Sequence, residues 1–363
     1  MKKHFIFLLF GLMAIGALTL ELACSTKTPN SPNFQAPLQT IVAANPTLTY
    51  TATSSPTNTP TVTFTPTNTA TTTPYAIASP WTGFVSIGGI AVYSSPTPSA
   101  NDGIFVADIA GNTVEKFFFN GALNPAWGDG GKGKGKISFL QPQALAVDAT
   151  GKLYVVGGAT GVYEYDALGN FLNQYSTASF SNPQGVAVDG SGNIFVSDTG
   201  NQRIIEMNAS GALVPSWGGA GAITFSSGAT FGPLPVTLTG SITLAGLGVQ
   251  GNSLYVVTQG KGINGSPYDS LLVFDIPSAG VTNIIPGFNH PTGLTFDTGN
   301  NLYVADAGNQ QIEEFTVGDF NLPPVVFFNN GGSLNSPLGV GVNAGGMIYV
   351  TDKGTNQINI FAP

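Results

Sequence analysis

Charged side chains are scarce in this 363-residue chain: they make up 8% of it, against roughly a quarter in an ordinary soluble domain. Lys and Arg number 11 and Asp and Glu 19, a net charge of −8. So few cations cannot neutralise a run of phosphates, which excludes a nucleic-acid partner. Cys24 is the only cysteine, so no disulfide can form within the chain. His4 and His290 are the only histidines, which excludes a site built from several imidazoles. Helix formers are diluted by 48 Gly and 25 Pro. Each interior Gly costs a helix up to ~1 kcal/mol and each Pro about 3, so long helices are excluded as well. Yet 42% of the residues are hydrophobic, enough to build a core.

Two N-terminal segments differ from the rest. Lys2 and Lys3 precede an apolar run over residues 5–20, at the long edge of a secretory core and short for a spanning helix of about 20 residues. The run leads to Leu20-Glu21-Leu22-Ala23-Cys24, which resembles the bacterial lipoprotein signal, where a small residue precedes a cysteine that is acylated after cleavage. Glu21 departs from that pattern, because a Leu is expected three residues before the cysteine; plain secretion is the alternative. Residues 1–23 are therefore expected to be a signal peptide and Cys24 a lipidation site. The mature protein is expected to be extracytoplasmic, touching a membrane only through Cys24 or secreted. Residues 24–80 read as a disordered spacer. From residue 25 to residue 80 there is no acidic side chain and one Lys, Lys27, and Pro56-Thr-Asn-Thr recurs as Pro66-Thr-Asn-Thr. No periodic apolar face is present to offset the entropy of ordering. The recurrent prolines interrupt any strand ladder, and Thr-rich, Pro-containing segments are candidate O-glycosylation carriers.

Residues 81–363 change character, to short β-type runs separated by Gly, Asn and Asp. Six strand signatures recur: Ile104-Phe-Val-Ala-Asp108, Leu153-Tyr-Val-Val156, Ile194-Phe-Val-Ser-Asp198, Leu254-Tyr-Val-Val257, Leu302-Tyr-Val-Ala-Asp306 and Ile348-Tyr-Val-Thr-Asp352. Such self-similarity marks a repeated sheet with loops of variable length. Upstream of four signatures lies a first strand, as in Pro183-Gln-Gly-Val-Ala-Val-Asp189 and Pro291-Thr-Gly-Leu-Thr-Phe-Asp297. Downstream comes a third, as in Arg203-Ile-Ile-Glu-Met207, and a fourth is expected to end near Trp127-Gly128 or Trp217-Gly218. Each unit is a four-strand antiparallel meander.

The order Pro-x-Gly-apolar-Ala-Val-Asp, then Gly-x-Ile-Tyr-Val-Ala-Asp, then Asn-x-Arg-Ile, resembles the NHL repeat over about residues 82–363. Units three and five match best. Units two and four depart, with Gly157-Gly158 and Thr258-Gln259 where Asp would follow the signature, so altered loops are expected there. Six units imply an all-β, six-bladed β-propeller. The last unit ends after its third strand, so an orphan strand at residues 82–87 is expected to complete it by pairing with residues 358–361.

In such a meander the loops between blades and the loops joining strands two and three open on one face. That places Gln143, Gln184, His290 and Asn335 on a rim with Asp108, Asn112, Asp198, Asn201, Asp306, Asn309, Asp352 and Asn356, around a channel expected to be ringed with polar groups. Asp and Asn at hairpin corners also bond neighbouring backbone N–H groups, and their recurrence favours that turn-forming duty. The Gly- and Lys-rich run at residues 130–136 reads as a solvated interblade loop, lacking the setting of a phosphate loop. Arg203, the sole arginine, is expected to make a blade-to-blade contact with a carboxylate. Residues 219–243 read as the longest insertion between blades.

These features point to a noncatalytic, monomeric binding module on a flexible stalk, recognising a protein, glycan or cell-wall component. The alternative is a propeller enzyme. The resemblance implies relatives that include lactonases and lyases with a divalent cation in the channel, and Asp and Asn would suit Ca²⁺. No motif assigns a metal site, a cofactor or a catalytic residue.

Overall fold

The computed structural model describes residues 76–95, 97–128, 134–158, 161–176, 179–226, 242–260, 269–316, 324, 326–328 and 334–362. Cys24, the signal segment and the spacer up to residue 75 lie outside the described residues. The first strand, β1 (Ala76–Trp81), precedes six runs of antiparallel strands. Blade 1 comprises β2 (Ile87–Tyr93), β3 (Gly103–Asp108), β4 (Thr113–Phe117) and β5 (Lys136–Ser138). Blade 2 comprises β6 (Pro142–Val147), β7 (Leu153–Gly157), β8 (Gly161–Tyr165) and β9 (Phe171–Tyr175). In blade 3 follow β10 (Pro183–Val188), β11 (Ile194–Asp198), β12 (Arg203–Met207) and β13 (Ala222–Thr224). Blade 4 holds β14 (Thr243–Gln250), β15 (Ser253–Gln259), β16 (Asp269–Asp275) and β17 (Gly280–Phe288). To blade 5 belong β18 (Pro291–Phe296), β19 (Asn301–Asp306), β20 (Gln311–Thr316) and β21 (Val326–Phe328). Blade 6 is built from β22 (Pro337–Val342), β23 (Ile348–Asp352), β24 (Gln357–Ala362) and, at its outer edge, β1. The molecule is a six-bladed β-propeller, and among the described residues it has no α-helix.

A signature strand that is apolar at nearly every position cannot face water on either side. Each one is buried along its length, because each blade is packed between two others. Alternation then decides which neighbour a side chain meets. Ile194 and Val196 point back into the core shared with blade 2, while Phe195 points forward into the core shared with blade 4. The same division holds for Leu153, Val155 and Tyr154, and for Leu302, Val304 and Tyr303. Six apolar clusters result, one at each blade interface. Trp127 and Trp217 do not end strands as expected. They sit in the loops between the third and fourth strands and fold back edge-on against Phe105 and Phe195, at 5.4 and 5.7 Å. The Lys-rich run shares the first of these loops, within blade 1 rather than between blades; its last residue, Lys136, opens β5 and pairs with Glu115. Residues 222–224 of the expected insertion are β13, and residues 227–241 lie outside the described residues.

Closure is achieved, but by a different segment from the one expected. Strand β1 pairs antiparallel with β24, Ile77 opposite Phe361 and Trp81 opposite Ile358. Residues 82–86 are not a strand, although Phe84, Val85 and Ile87 give them the appearance of one. The Asp108 carboxylate draws them out of the sheet by accepting the N–H groups of Val85 and Ser86, at 2.9 and 2.8 Å. Trp81, the last residue of the closing strand, lies between Phe117 of blade 1 and Tyr349 of blade 6, 5.5 and 5.8 Å from them. The N-terminal strand thus completes blade 6 and wedges the seam between the first and last blades.

Candidate functional site

The innermost strands carry the site. In each blade the pairing of the first and second strands slips by a residue near the start, as between Pro183↔Asp198 and Gly185↔Ser197. The slip is a β-bulge, which re-aims the residue it contains. Here it turns the x position of Pro-x-Gly, Gln143 in blade 2 and Gln184 in blade 3, into the mouth of the central channel. The following glycine lets the strands converge. A Cβ on Gly293 would lie 2.6 Å from the Leu338 carbonyl oxygen and 3.0 Å from the Gly339 Cα, so adjacent backbones meet where no side chain fits. Gly89, Gly185, Gly246 and Gly339 hold the same place, and blade 2 uses Ala144.

The mouth is a cavity of about 180 Å³. Gln143, Gln184, Gln259, Thr243 and Thr292 supply its polar groups, and none of its lining residues is ionisable. Its floor is a collar of one apolar side chain per blade: Ile90, Leu145, Val186, Leu247, Leu294 and Val340. Beyond the collar a second cavity of about 300 Å³ opens at the other end, lined by Val92, Val147, Val188, Val249 and Phe296 with Gln250 and Asp297. The channel is therefore polar at the predicted mouth but apolar along its wall, rather than ringed by polar groups throughout.

Of the predicted rim residues, Gln143 and Gln184 line the mouth and the others lie outside it. The aspartates fasten each incoming loop to the hairpin it crosses. Asp198 accepts Ser181 N–H at 2.7 Å, and Asp306 accepts Asn289 N–H at 2.8 Å. Asp352 accepts Asn335 and Ser336 N–H at 2.7 and 2.9 Å, and Gly354 N–H at 2.9 Å. All three are fully buried. Asn201 and Asn309 donate to the aspartate beside them, each within 2.8 Å. Asn112 accepts Gln141 N–H and Asn356 accepts Ile87 N–H, pinning the next blade. Asn335 is exposed and enters the network through its backbone. His290 is exposed, with φ 51°; its N–H donates to Asp269 at 2.6 Å and its ring Nδ1 lies 3.0 Å from Asn289 Oδ1. Arg203 does reach a carboxylate, Asp198 at 2.7 Å, but within its own blade; its other contact is the Ser179 carbonyl in the loop from blade 2.

The two departures from the repeat have local causes. In blade 2 a Cβ on Gly157 would fall 2.2 Å from the Gln141 carbonyl oxygen, so the loop backbone fills the space an aspartate takes elsewhere. In blade 4 Thr258 stands at the aspartate position and donates to the Ser270 carbonyl at 2.8 Å, while the next residue, Gln259, donates to the Pro291 carbonyl at 2.7 Å, bracing blade 5. Thr243, Gln259 and Thr292 are the polar mouth residues that pattern reading missed. The blade 4 departure at Gln259 was the available signal.

Away from the mouth, a carboxyl pair is buried at the rim of the interface between blades 4 and 5. Burial first, and then the neighbouring Asp306, push Glu313 up to about 8, so it holds a proton and hydrogen-bonds Asp306. Asp306 is also raised, by burial. The equivalent Glu115 in blade 1 has Lys136 beside it, whereas blade 5 has no cation at this point among the described residues. Among those residues no group of three or more His, Cys, Asp or Glu side chains is arranged to hold a metal ion.

The NHL-repeat family model matches residues 180–205 and 288–315. The chain carries NHL repeats. Both matched stretches start just before a blade's first strand and run into its third, in blades 3 and 5. A search of curated protein sequences returns no significant match. Among solved structures, hydrazine synthase from Kuenenia stuttgartiensis aligns with TM-score 0.51 and 15% identity, over 77% of this chain and 97% of that one. A gluconolactonase, XC5397 from Xanthomonas campestris, aligns with TM-score 0.52 and 12% identity, over 80% and 97%. At such identities the likeness is one of fold. A streptogramin B lyase aligns with TM-score 0.48 and 13% identity, over 79% and 97%, and adds nothing to it.

Proposed function

We propose that this NHL propeller is a noncatalytic binding module that takes its ligand at the mouth lined by Gln143 and Gln184. In this reading it is held outside the cytoplasm on the Thr- and Pro-rich spacer, tethered by an acylated Cys24. The observation that carries the reading is the chemistry of the lining. Amides and hydroxyls offer hydrogen bonds, while no side chain there can act as general acid or base to activate either threonine hydroxyl. The rim carboxylates that could have served are engaged by backbone N–H groups. A solved propeller of this fold is a gluconolactonase, and a lactonase-like activity is the second reading.

The test pairs retention with chemical analysis of the ligand. The mature protein is immobilised and exposed to cell-envelope polymers, secreted proteins and simple lactones, alongside a Gln143→Ala/Gln184→Ala variant. Retention that needs both glutamines, with the ligand recovered intact, is the expected result. Turnover of a lactone that those substitutions abolish would replace binding with catalysis.

A further inference from the structure

The mouth is two-sided. Blades 2 to 5 contribute Gln143, Gln184, Thr243, Gln259 and Thr292, while blade 6 presents Leu338 and blade 1 lines the mouth with Gly89 and Ile90. In the ring, Leu338 of blade 6 faces across the channel from Gln184 of blade 3. The polar arc is only partly committed to the protein itself. Gln184 Nε2 donates to Asn182 Oδ1 at 2.8 Å, and Gln259 Nε2 is taken by the Pro291 carbonyl. The Thr292 hydroxyl donates to the Pro337 carbonyl at 3.0 Å. Each amide nitrogen keeps its second hydrogen, so Gln184 and Gln259 still offer one N–H and a carbonyl oxygen, and Thr292 offers its hydroxyl oxygen. Gln143 makes no side-chain hydrogen bond among the described residues and keeps both its donors and its acceptor.

Those properties select a ligand. An anion would find no cation in the lining to compensate its charge, and a cation would find no carboxylate there. The groups that satisfy amides offering both N–H and C=O are hydroxyls, which accept and donate in turn, and the surface that suits the facing Leu338 and the apolar collar is a patch of C–H groups. A pyranose ring carries both, with hydroxyls along its edge and C–H groups on its face. Resting on the binding reading above, we infer that the mouth takes the terminal unit of a neutral saccharide, its hydroxyl edge on Gln143, Gln184 and Gln259 and its C–H face toward Leu338.

The experiment titrates the mature protein by calorimetry with neutral gluco-, manno- and galacto-oligosaccharides, an oligouronate and an uncharged peptide. Wild type is compared with Gln143→Ala/Gln184→Ala and with Leu338→Asp, each variant first checked for an unchanged melting temperature. At least one neutral saccharide is expected to bind and the oligouronate not to. Loss of two hydrogen bonds is expected to weaken binding by about tenfold or more, and Leu338→Asp by a similar factor. If binding of that saccharide is the same in all three proteins, it occurs elsewhere and the inference fails. Should the peptide or the oligouronate bind instead, with dependence on the two glutamines, the binding reading stands and the saccharide does not. No saccharide binding at concentrations on the order of 10 mM overturns the inference as well.

Discussion

Glu206 is a carboxyl with no hydrogen-bond partner among the described residues. It is buried on the face of blade 3 that meets blade 4, opposite Phe195, and accepts no hydrogen bond from any described side chain. Its counterpart in blade 2, Glu164, accepts bonds from Lys152 and Tyr175, at 2.8 and 2.7 Å. Burial, and next the nearby Asp189, push Glu206 up from its ordinary 4.5 to about 7. Its folded-state pKa is thus above the unfolded value. Stability is complete below about 4.5, falls as pH rises through the window up to about 7, and stays lost above it. Glu313 acts with the same sign over a window that extends to about 8. Glu206→Gln is therefore expected to raise the melting temperature at pH 8 and to leave it unchanged at pH 4. A gain of the same size at both would show that charge is not the cause. The rim aspartates, unlike Glu206, are engaged acceptors of backbone N–H groups. Asp352→Ala strips a partner from Asn335, Ser336 and Gly354 N–H and should cost about 2–4 kcal/mol in urea unfolding.

The single strand and its hairpin were the most legible parts of the sequence. Apolar runs bounded by Gly and Asn identify the buried second strands, and their six occurrences identify the blades. Less legible were features that depend on a distant partner. Residues 82–87 have strand-like composition, yet residues 82–86 stay out of the sheet, held by the Asp108 carboxylate, more than twenty residues away, and by Asn356 at the far end of the chain. Trp127 and Trp217 resemble strand ends, yet each is placed by packing on an aromatic ring in the second strand of its blade. The rim was half legible. Turn signals locate its Asp and Asn correctly, but whether a side chain turns toward the channel or toward the backbone depends on a bulge that period-2 patterning does not reveal. Gly293 offers a test at this scale. Gly293→Ala pushes a methyl group into the Leu338 carbonyl, and the strain expected is about 1–3 kcal/mol, read as a lower urea midpoint with an unchanged slope. No change would mean that the innermost strands have room to move apart.

Across the whole molecule, six thin sheets are stable only because each lends its two faces to its neighbours, and the ring holds only if the seam between blades 6 and 1 is shut. Strand β1 does this through its pairing with β24 and through Trp81, set between Phe117 and Tyr349. The mouth depends on the same closure, because its collar takes one side chain from every blade. The most direct measurement is calorimetric unfolding of two shortened chains, one beginning at residue 76 and one at residue 82. The chain that keeps the closing strand should melt as the full-length protein does. Without that strand the melting temperature should fall by roughly 10 °C or more, and protection of the β24 amides from hydrogen exchange should be lost. Equal melting of the two chains, with β24 still protected, would contradict a ring closed by its N-terminal strand.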